Sequence, residues 1–266
     1  MLIFKLQKHL ICRCILLRKM AKFYLFSLLI VFAACKRQNS EPPDPNWTFH
    51  TDTVINLKID EPSGLALSVN KDFLYTVSDL TGKIYRISFK GDILNELPFI
   101  GSDMEGIAVD VSVGEIYTVE EGIRRVDHLG QQGILIDNIS SINVGNAGTD
   151  IGFEGIAKNR DTLYILFEKN PGLLIKYYIP TGNWTQIPLS FALDYSGIDY
   201  DESDSTLWIV SHESASLNHC DLGGNLIKSQ ALDIVQAEGV AVDRKRNVAW
   251  IVSDSDHKLH RIVLKI

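Results

Sequence analysis

The chain has 266 residues, 45% of them hydrophobic and 22% charged, which is typical of a folded protein and excludes a largely disordered one. The formal net charge is −7, and lysines and arginines are dispersed after residue 40. This argues against a nucleic-acid partner, because phosphate binding needs clustered basic residues. A small metal cation or a cationic ligand suits this charge balance better.

The first 35 residues have the features of a secretory leader. A lysine follows Met20, a plausible start, and precedes an apolar run from Phe23 to Ala34 that ends at Cys35. This order predicts a signal peptide, and FAAC resembles a bacterial lipobox, whose cysteine is acylated. The alternative is a transmembrane anchor, but the run is shorter than the ~20 residues that cross a bilayer as a helix. We expect a lipid anchor at Cys35 and a cell-envelope location, in the outer membrane facing the periplasm.

Residues 36–46, KRQNSEPPDPN, are polar and proline-rich, as expected of a flexible tether. The folded domain is then expected from residue 47 to residue 266. It contains one cysteine, Cys220, so no intramolecular disulfide can form. A buried core residue is the first interpretation of Cys220, and a reactive thiol is the alternative.

A short motif with a central glycine recurs five times in this domain. It reads SGLA, EGIA, EGIA, SGID and EGVA, and its glycines are separated by 42, 49, 42 and 42 residues. An apolar stretch ending in an acid follows each glycine by 13 to 16 residues, and a third apolar alternation comes next. The glycines are Gly64, Gly106, Gly155, Gly197 and Gly239.

Short β-rich runs separated by Gly, Asn and Asp turns predict strands, and four strands in a repeat of about 42 residues are typical of a propeller blade. The sequence therefore predicts an all-β, five-bladed β-propeller. The fifth repeat stops after three strands, and we expect the stretch Thr53–Ile59 to supply its fourth and close the ring. A solenoid of the same repeats would not explain why the two ends match.

Two sets of side chains are expected at one end of the propeller axis, because the first strand of a blade starts where the second ends. The residues before the motif glycines form an inner ring: Ser63, Glu105, Glu154, Ser196 and Glu238. The acids that close the second strands form an outer set: Asp79, Glu121, Glu168, Glu213 and Asp254. Eight of these ten residues are acidic, and such carboxylates repel one another unless a cation joins them.

Oxygen ligands point to a hard cation such as Ca²⁺ rather than to zinc. We expect Glu105, Glu154 and Glu238 to be metal ligands, with the remaining inner-ring and outer-set residues as additional mouth residues. Alternatively, the outer acids pair with Lys and Arg of neighbouring blades or face solvent. The single longer spacing reflects an insertion around Ser140–Gly152 at the same end, where a long loop can form a wall or lid of a binding site.

The repeats EPSGLA, MEGIAVD, FEGIA, SGIDYD and AEGVAVD, with their VSD and VEE strand ends, resemble the SdiA-regulated family of bacterial envelope proteins. The resemblance covers residues 47–266 and implies a five-bladed propeller with a calcium site and no established activity. A more remote likeness is to the six-bladed gluconolactonase, regucalcin and paraoxonase propellers, in which residues at these positions coordinate a central Ca²⁺. Those hydrolases commonly carry an asparagine in the ring, and this chain carries none there.

Two functions remain open on the sequence. The first is a calcium-stabilised binding or scaffold module displayed from the envelope, with an unknown small ligand or protein at the acidic face. The second is a metal-dependent hydrolase of a small ester, lactone or phosphoester, for which His212 is the candidate general base. No GxSxG nucleophile motif is present, so the catalytic residues of such an enzyme are unknown.

Overall fold

The computed structural model describes residues 46–145 and 151–266. These residues contain twenty strands in five four-stranded antiparallel sheets and no helix. The predicted leader, Cys35 and the tether before Asn46 lie outside the described residues. The described chain begins with β1 (Thr48–Asn56), whose sheet is completed only by the last three strands.

Each of the first four blades consists of four consecutive strands, paired in chain order. The first blade contains β2 (Pro62–Leu67), β3 (Leu74–Ser78), β4 (Lys83–Ile87) and β5 (Ile93–Ile100). The second contains β6 (Met104–Val109), β7 (Ile116–Glu120), β8 (Arg125–Leu129) and β9 (Leu135–Ile139). The third contains β10 (Phe153–Asn159), β11 (Thr162–Phe167), β12 (Leu173–Tyr178) and β13 (Asn183–Pro188). The fourth contains β14 (Gly197–Asp201), β15 (Thr206–Ser211), β16 (Ser216–Cys220) and β17 (Leu226–Ala231).

The fifth blade joins the two ends of the domain. It contains β18 (Ala237–Asp243), β19 (Val248–Ser253) and β20 (Lys258–Lys265), and β1 pairs with the outer edge of β20. The innermost strands contact one another in sequence, and β18 contacts β2. The predicted five-bladed β-propeller, closed by the N-terminal strand, is therefore confirmed, and an open solenoid is excluded.

The predicted bounds of the closing strand were wrong. The strand runs from Thr48 to Asn56, whereas the prediction was Thr53–Ile59. Leu57 and Ile59 are buried in the hydrophobic cluster between the fifth and first blades, so their apolar character reflects loop packing rather than strand alternation. The true start is polar because the outer strand of a blade exposes most of its side chains.

The strand sequences follow from how the blades pack. A hydrophobic cluster lies at each of the five junctions between neighbouring blades. Both faces of a middle strand are therefore covered, which explains why β3, β15 and β19 are buried along their whole length instead of alternating. Cys220 belongs to the cluster between the third and fourth blades and is fully buried, as the first interpretation predicted.

The repeated glycines are required where the inner strands meet. A Cβ atom on Gly64 would lie 2.8 Å from the carbonyl oxygen of Glu105 and 2.8 Å from the Cα atom of Gly106. Gly239 would clash in the same way with Gly64 and Leu65 of the first blade. A side chain at these positions would force the blades apart.

The strand directions define two faces. The turns β3–β4 and β19–β20 lie at one face, which we call the mouth face, and the turns β2–β3 and β18–β19 lie at the opposite face. Thr48 pairs with Lys265 at the opposite face, and β1 ends at the mouth face. No helix among the described residues has the length and hydropathy needed to span a membrane.

Candidate cation-binding site

The inner strands begin, and the second strands end, around a cavity of about 190 Å³ at the mouth face. All five inner-ring residues line it, together with three of the five outer-set acids. The twelve lining residues are Glu61, Ser63, Asp79, Glu105, Glu154, Glu168, Asp194, Ser196, His212, Gln236, Glu238 and Asp254. Eight of them carry a carboxyl group, and none is a lysine or arginine.

Two groups of three carboxylates are close enough to bind an ion together. Their oxygen atoms lie within 4.8 Å of one another in each group. The first group sits where the first and second blades meet, and the second where the second and third blades meet. They consist of Asp79, Asp103 and Glu105, and of Glu121, Glu154 and Glu168.

The three glutamates expected to bind a metal therefore share one cavity but are divided within it. Glu105 belongs to the first group and Glu154 to the second, and Glu238 belongs to neither. The Oε1 atom of Glu238 lies 3.8 Å from Nδ1 of His212 instead. One ion could bind all three glutamates only if their side chains moved closer together or if water molecules bridged the ion to them.

Burial and mutual repulsion raise the pKa values of five cavity carboxyls, those of Asp79, Glu105, Glu154, Glu238 and Asp254. Burial is the largest cause for Asp79, whose pKa rises to about 6, and for Glu238, whose pKa rises to about 7. Neighbouring carboxylates add to the effect, mainly Asp103 on Asp79 and Asp254 on Glu238. The pKa values of Glu105 and Glu154 are also raised well above normal, first by burial and then by adjacent acids.

The acids of each three-carboxylate group disfavour one another's charged forms. After burial, Asp103 contributes most to the raised pKa of Asp79 in the first group, and Glu105 and Glu121 add to that of Glu154 in the second. A bound cation would offset this repulsion between carboxylates.

Glu213 differs from the rest of the outer set. It is exposed and accepts a hydrogen bond of 2.8 Å from Nζ of Lys169, which also lies 2.6 Å from Oε1 of Glu168. The hydrogen bond from Lys169 is the main cause that lowers the pKa of Glu213. Glu213 therefore pairs with a lysine of the neighbouring blade, which was the alternative expectation for the outer acids.

Comparison with known protein families identifies the family of this chain. A family model described as SdiA-regulated matches residues 40–256. The chain belongs to the SdiA-regulated family. The resemblance seen in the repeats is confirmed by this match, which covers all five glycine motifs.

Solved structures of similar fold include enzymes of several kinds. A glutaminyl cyclase from Myxococcus xanthus is 10% identical with a TM-score of 0.65, covering 85% of this chain and 99% of that one. A PQQ-bound aldose sugar dehydrogenase from Streptomyces coelicolor is 14% identical with a TM-score of 0.53, covering 85% and 100%. A streptogramin B lyase is 18% identical with a TM-score of 0.51, covering 82% and 72%. At these identities the likeness shows the fold of this SdiA-regulated protein alone.

Sequence reasoning missed a third set of polar residues at the mouth. Glu61, Asp103, Asp194 and Gln236 each lie two positions before an inner-ring residue. Three of them line the cavity, and Asp103 joins the first carboxylate group. Aligning the five motifs two residues further upstream would have found them.

Buried hydrogen bonds hold two members of this third set in place. The fully buried Glu120 accepts from the backbone of Asp103 at 2.9 Å and from the hydroxyl of Ser102 at 2.7 Å. Asp194 is buried and accepts from the backbone of Glu213 at 3.0 Å and from the hydroxyl of Ser211. Each carboxylate fixes a loop that carries residues of the mouth.

The described ends of the predicted insertion lie at the mouth face. Arg124 donates to the carbonyl of Gly145 at 2.9 Å and to that of Ile151 at 3.2 Å. The carbonyl of Gly152 accepts from the backbone of Glu168 at 3.2 Å. Residues 146–150 lie outside the described residues.

Proposed function

We propose that this protein is a calcium-binding β-propeller of the cell envelope that acts as a binding or scaffold module. The observation that carries the proposal is the pair of three-carboxylate groups, in each of which the oxygen atoms lie within 4.8 Å of one another. Burial and the neighbouring acids raise the pKa values of Asp79 and Glu154 in these groups. A divalent cation would offset this repulsion and interact with all three oxygen ligands of a group.

The donor atoms around the cavity fit calcium. Carboxylates dominate, and the hydroxyls of Ser63 and Ser196 and the amide of Gln236 supply further oxygen atoms. Ca²⁺ accepts 6–8 oxygen ligands in flexible arrangements, whereas Mg²⁺ demands a tight octahedron and zinc prefers nitrogen and sulfur. Glu105, Glu154 and Glu238 remain the proposed ligands, joined by the other members of the two groups.

The calcium proposal is tested by thermal unfolding of the chelated protein with added Ca²⁺. A ligand that binds only the folded state stabilises it by about 2.7 kcal/mol at 100 times its dissociation constant. Glu154→Gln should reduce this calcium-dependent increment and the affinity measured by calorimetry. Glu96→Gln, which removes an equal charge on the outer strand β5, should leave both unchanged. Equal increments in wild type and Glu154→Gln would place the site elsewhere.

The envelope location rests on the leader sequence and on Cys35, which lies outside the described residues. Cys35→Ser should abolish fatty-acid labelling and leave the protein unprocessed or soluble. A mutant that still incorporates label and sediments with membranes would contradict the lipid anchor.

A metal-dependent hydrolase is the second candidate, and the position of His212 favours it. Its imidazole lines the cavity, is 39% exposed, and lies 3.8 Å from the carboxylate of Glu238. A histidine held beside a carboxylate can accept a proton from water. Calcium-loaded protein should then cleave p-nitrophenyl acetate, a γ-lactone or p-nitrophenyl phosphate, and His212→Asn should abolish turnover but keep calcium stabilisation. No turnover of any of these by wild type would count against an enzyme.

A further inference from the structure

Exposed apolar side chains lie in the mouth-face loops, most of them next to residues that line the acidic cavity. Leu80, Ile123, Leu193 and Val235 are each between 56% and 67% exposed. Leu80 directly follows a lining residue, and Leu193 and Val235 directly precede one. Ile123 lies in the turn between β7 and β8, two residues after Glu121. We call these four residues the apolar rim.

The rim residues come from loops of different blades. Leu80 belongs to the first blade and Ile123 to the second, whereas Leu193 and Val235 precede the fourth and fifth. A single exposed leucine needs no explanation, but several in the loops that carry one polar cavity are typical of an interaction site. A ligand that contacts all of them must cover the mouth, which favours a polypeptide surface over a small molecule.

The edge of the cavity already holds one alkylammonium group. Nζ of Lys169 lies between the carboxylates of Glu168 and Glu213, at 2.6 and 2.8 Å. Glu168 is also a lining residue and a member of the second carboxylate group. The acids at this edge therefore have the spacing needed to bind the amine of a lysine side chain.

We infer that the mouth docks a partner protein through a lysine or arginine side chain that enters the cavity, flanked by apolar residues that pack on the rim. A cationic anchor surrounded by contacts that exclude water is a frequent arrangement of strong interface residues. The cavity of about 190 Å³ has room for one such side chain. This inference rests on the proposed cation site, because both use the cavity carboxylates, and calcium should compete with the partner.

The test uses a fluorescent peptide with one lysine between two pairs of leucine and phenylalanine, and matched peptides with glutamine for lysine or serine for the apolar residues. Fluorescence anisotropy of the chelated protein should show the lysine peptide binding about tenfold or more tightly than either. Leu80→Ser, Leu193→Ser and Val235→Ser combined should weaken binding by a similar factor. The control Val111→Ser, an equally exposed valine on the opposite face, should not.

Equal affinity for the lysine and glutamine peptides, or no binding of the lysine peptide, would overturn the inference. Binding of n-hexylamine as tight as that of the peptide would overturn the polypeptide partner in favour of a small amine. Calcium stabilisation must persist in the triple rim variant, since none of its residues lines the cavity. Calcium stabilisation without peptide binding would support the proposed function and overturn this inference. Peptide binding without calcium stabilisation would support the docking site and contradict the calcium site.

Discussion

The two ends of the propeller axis treat buried acids in opposite ways. At the opposite face, Asp201 and Asp204 are buried, and Nη1 of Arg244 from the next blade lies 2.9 and 3.0 Å from their carboxylates. The indole of Trp208 also donates to Asp201 at 3.3 Å. At the mouth, ion pairs to lining carboxylates come only from Lys169 and His212 within the described ranges. At the opposite face an arginine of the protein neutralises these buried acids, whereas at the mouth most lining carboxylates have no cationic side chain paired with them among the described residues.

The largest expected effect comes from removing the internal counter-charge. Arg244→Met leaves two buried carboxylates without their cation and should lower the free energy of unfolding by about 3–5 kcal/mol. Urea unfolding in the presence of a chelator measures this loss. Arg246→Met is the control, because this arginine follows in the same turn but its side chain is 52% exposed, and it should cost much less. Equal losses of free energy of unfolding in the two variants would show that the burial of the Arg244 ion pairs does not determine their contribution to stability.

Removing a buried negative charge at the mouth should raise the free energy of unfolding, whereas removing the arginine at the opposite face should lower it. The pKa of Glu238 is raised to about 7 from an ordinary value of 4.5, so its ionised form destabilises the chelated protein. Each pKa unit corresponds to about 1.4 kcal/mol, and the neighbouring acids retain part of the penalty. Glu238→Gln should therefore raise the free energy of unfolding by about 1–3 kcal/mol at pH 8. A loss comparable to that of Arg244→Met would contradict the comparison.

The sequence predicts which residue of each blade lies at the mouth, but it does not predict which carboxylates contact one another. The glycine motif is readable because the close approach of the inner strands admits no Cβ, and that requirement recurs at the same place in every blade. The residues before it must then share one ring. Glu213 lies at the edge of the cavity instead of lining it and pairs with Lys169 of the neighbouring blade, a contact that depends on the geometry of two loops. Division of the glutamates into two groups likewise depends on side-chain positions that a repeat spacing does not encode.

The raised pKa values of the mouth acids should make the chelated protein less stable as pH rises. A raised pKa means that the folded state binds protons that the unfolded state has lost, so stability decreases as pH rises through the folded pKa. For Asp79 and Glu238 the ordinary values are 3.8 and 4.5 and the folded values are about 6 and about 7. The melting temperature in chelator should therefore rise as pH falls from 8 to about 5.

The calcium increment measured at the same pH values is the control for this effect. Protons and calcium compete for the same carboxylates, so the stabilisation by Ca²⁺ should shrink as pH falls through the same window. A melting temperature in chelator that is flat from pH 8 to about 5 would mean that the cavity acids carry no net penalty.

The smallest effect is expected from Lys169, which lies at the edge of the mouth beside Glu168 and Glu213. Its side chain is 29% exposed, and exposed ion pairs contribute about 0–1 kcal/mol. Lys169→Met should change the stability of the chelated protein by no more than that but release Glu168 for cation binding. Calorimetry should show calcium binding about two- to fivefold more tightly, the factor that such a pair energy corresponds to. An affinity weaker than that of wild type would assign Lys169 a supporting role in the site.

The direction of β1 has a consequence for how the molecule can be held. The chain enters the propeller at Thr48, and β20 ends at Lys265 beside it, both at the opposite face. A coupling made at either end of the described chain, whether to a sensor chip, a bead or a fused protein, leaves the acidic mouth open to the surrounding solution. Immobilisation at Asn46, where the described residues begin, thus presents every residue of the candidate site to a soluble partner in a common orientation.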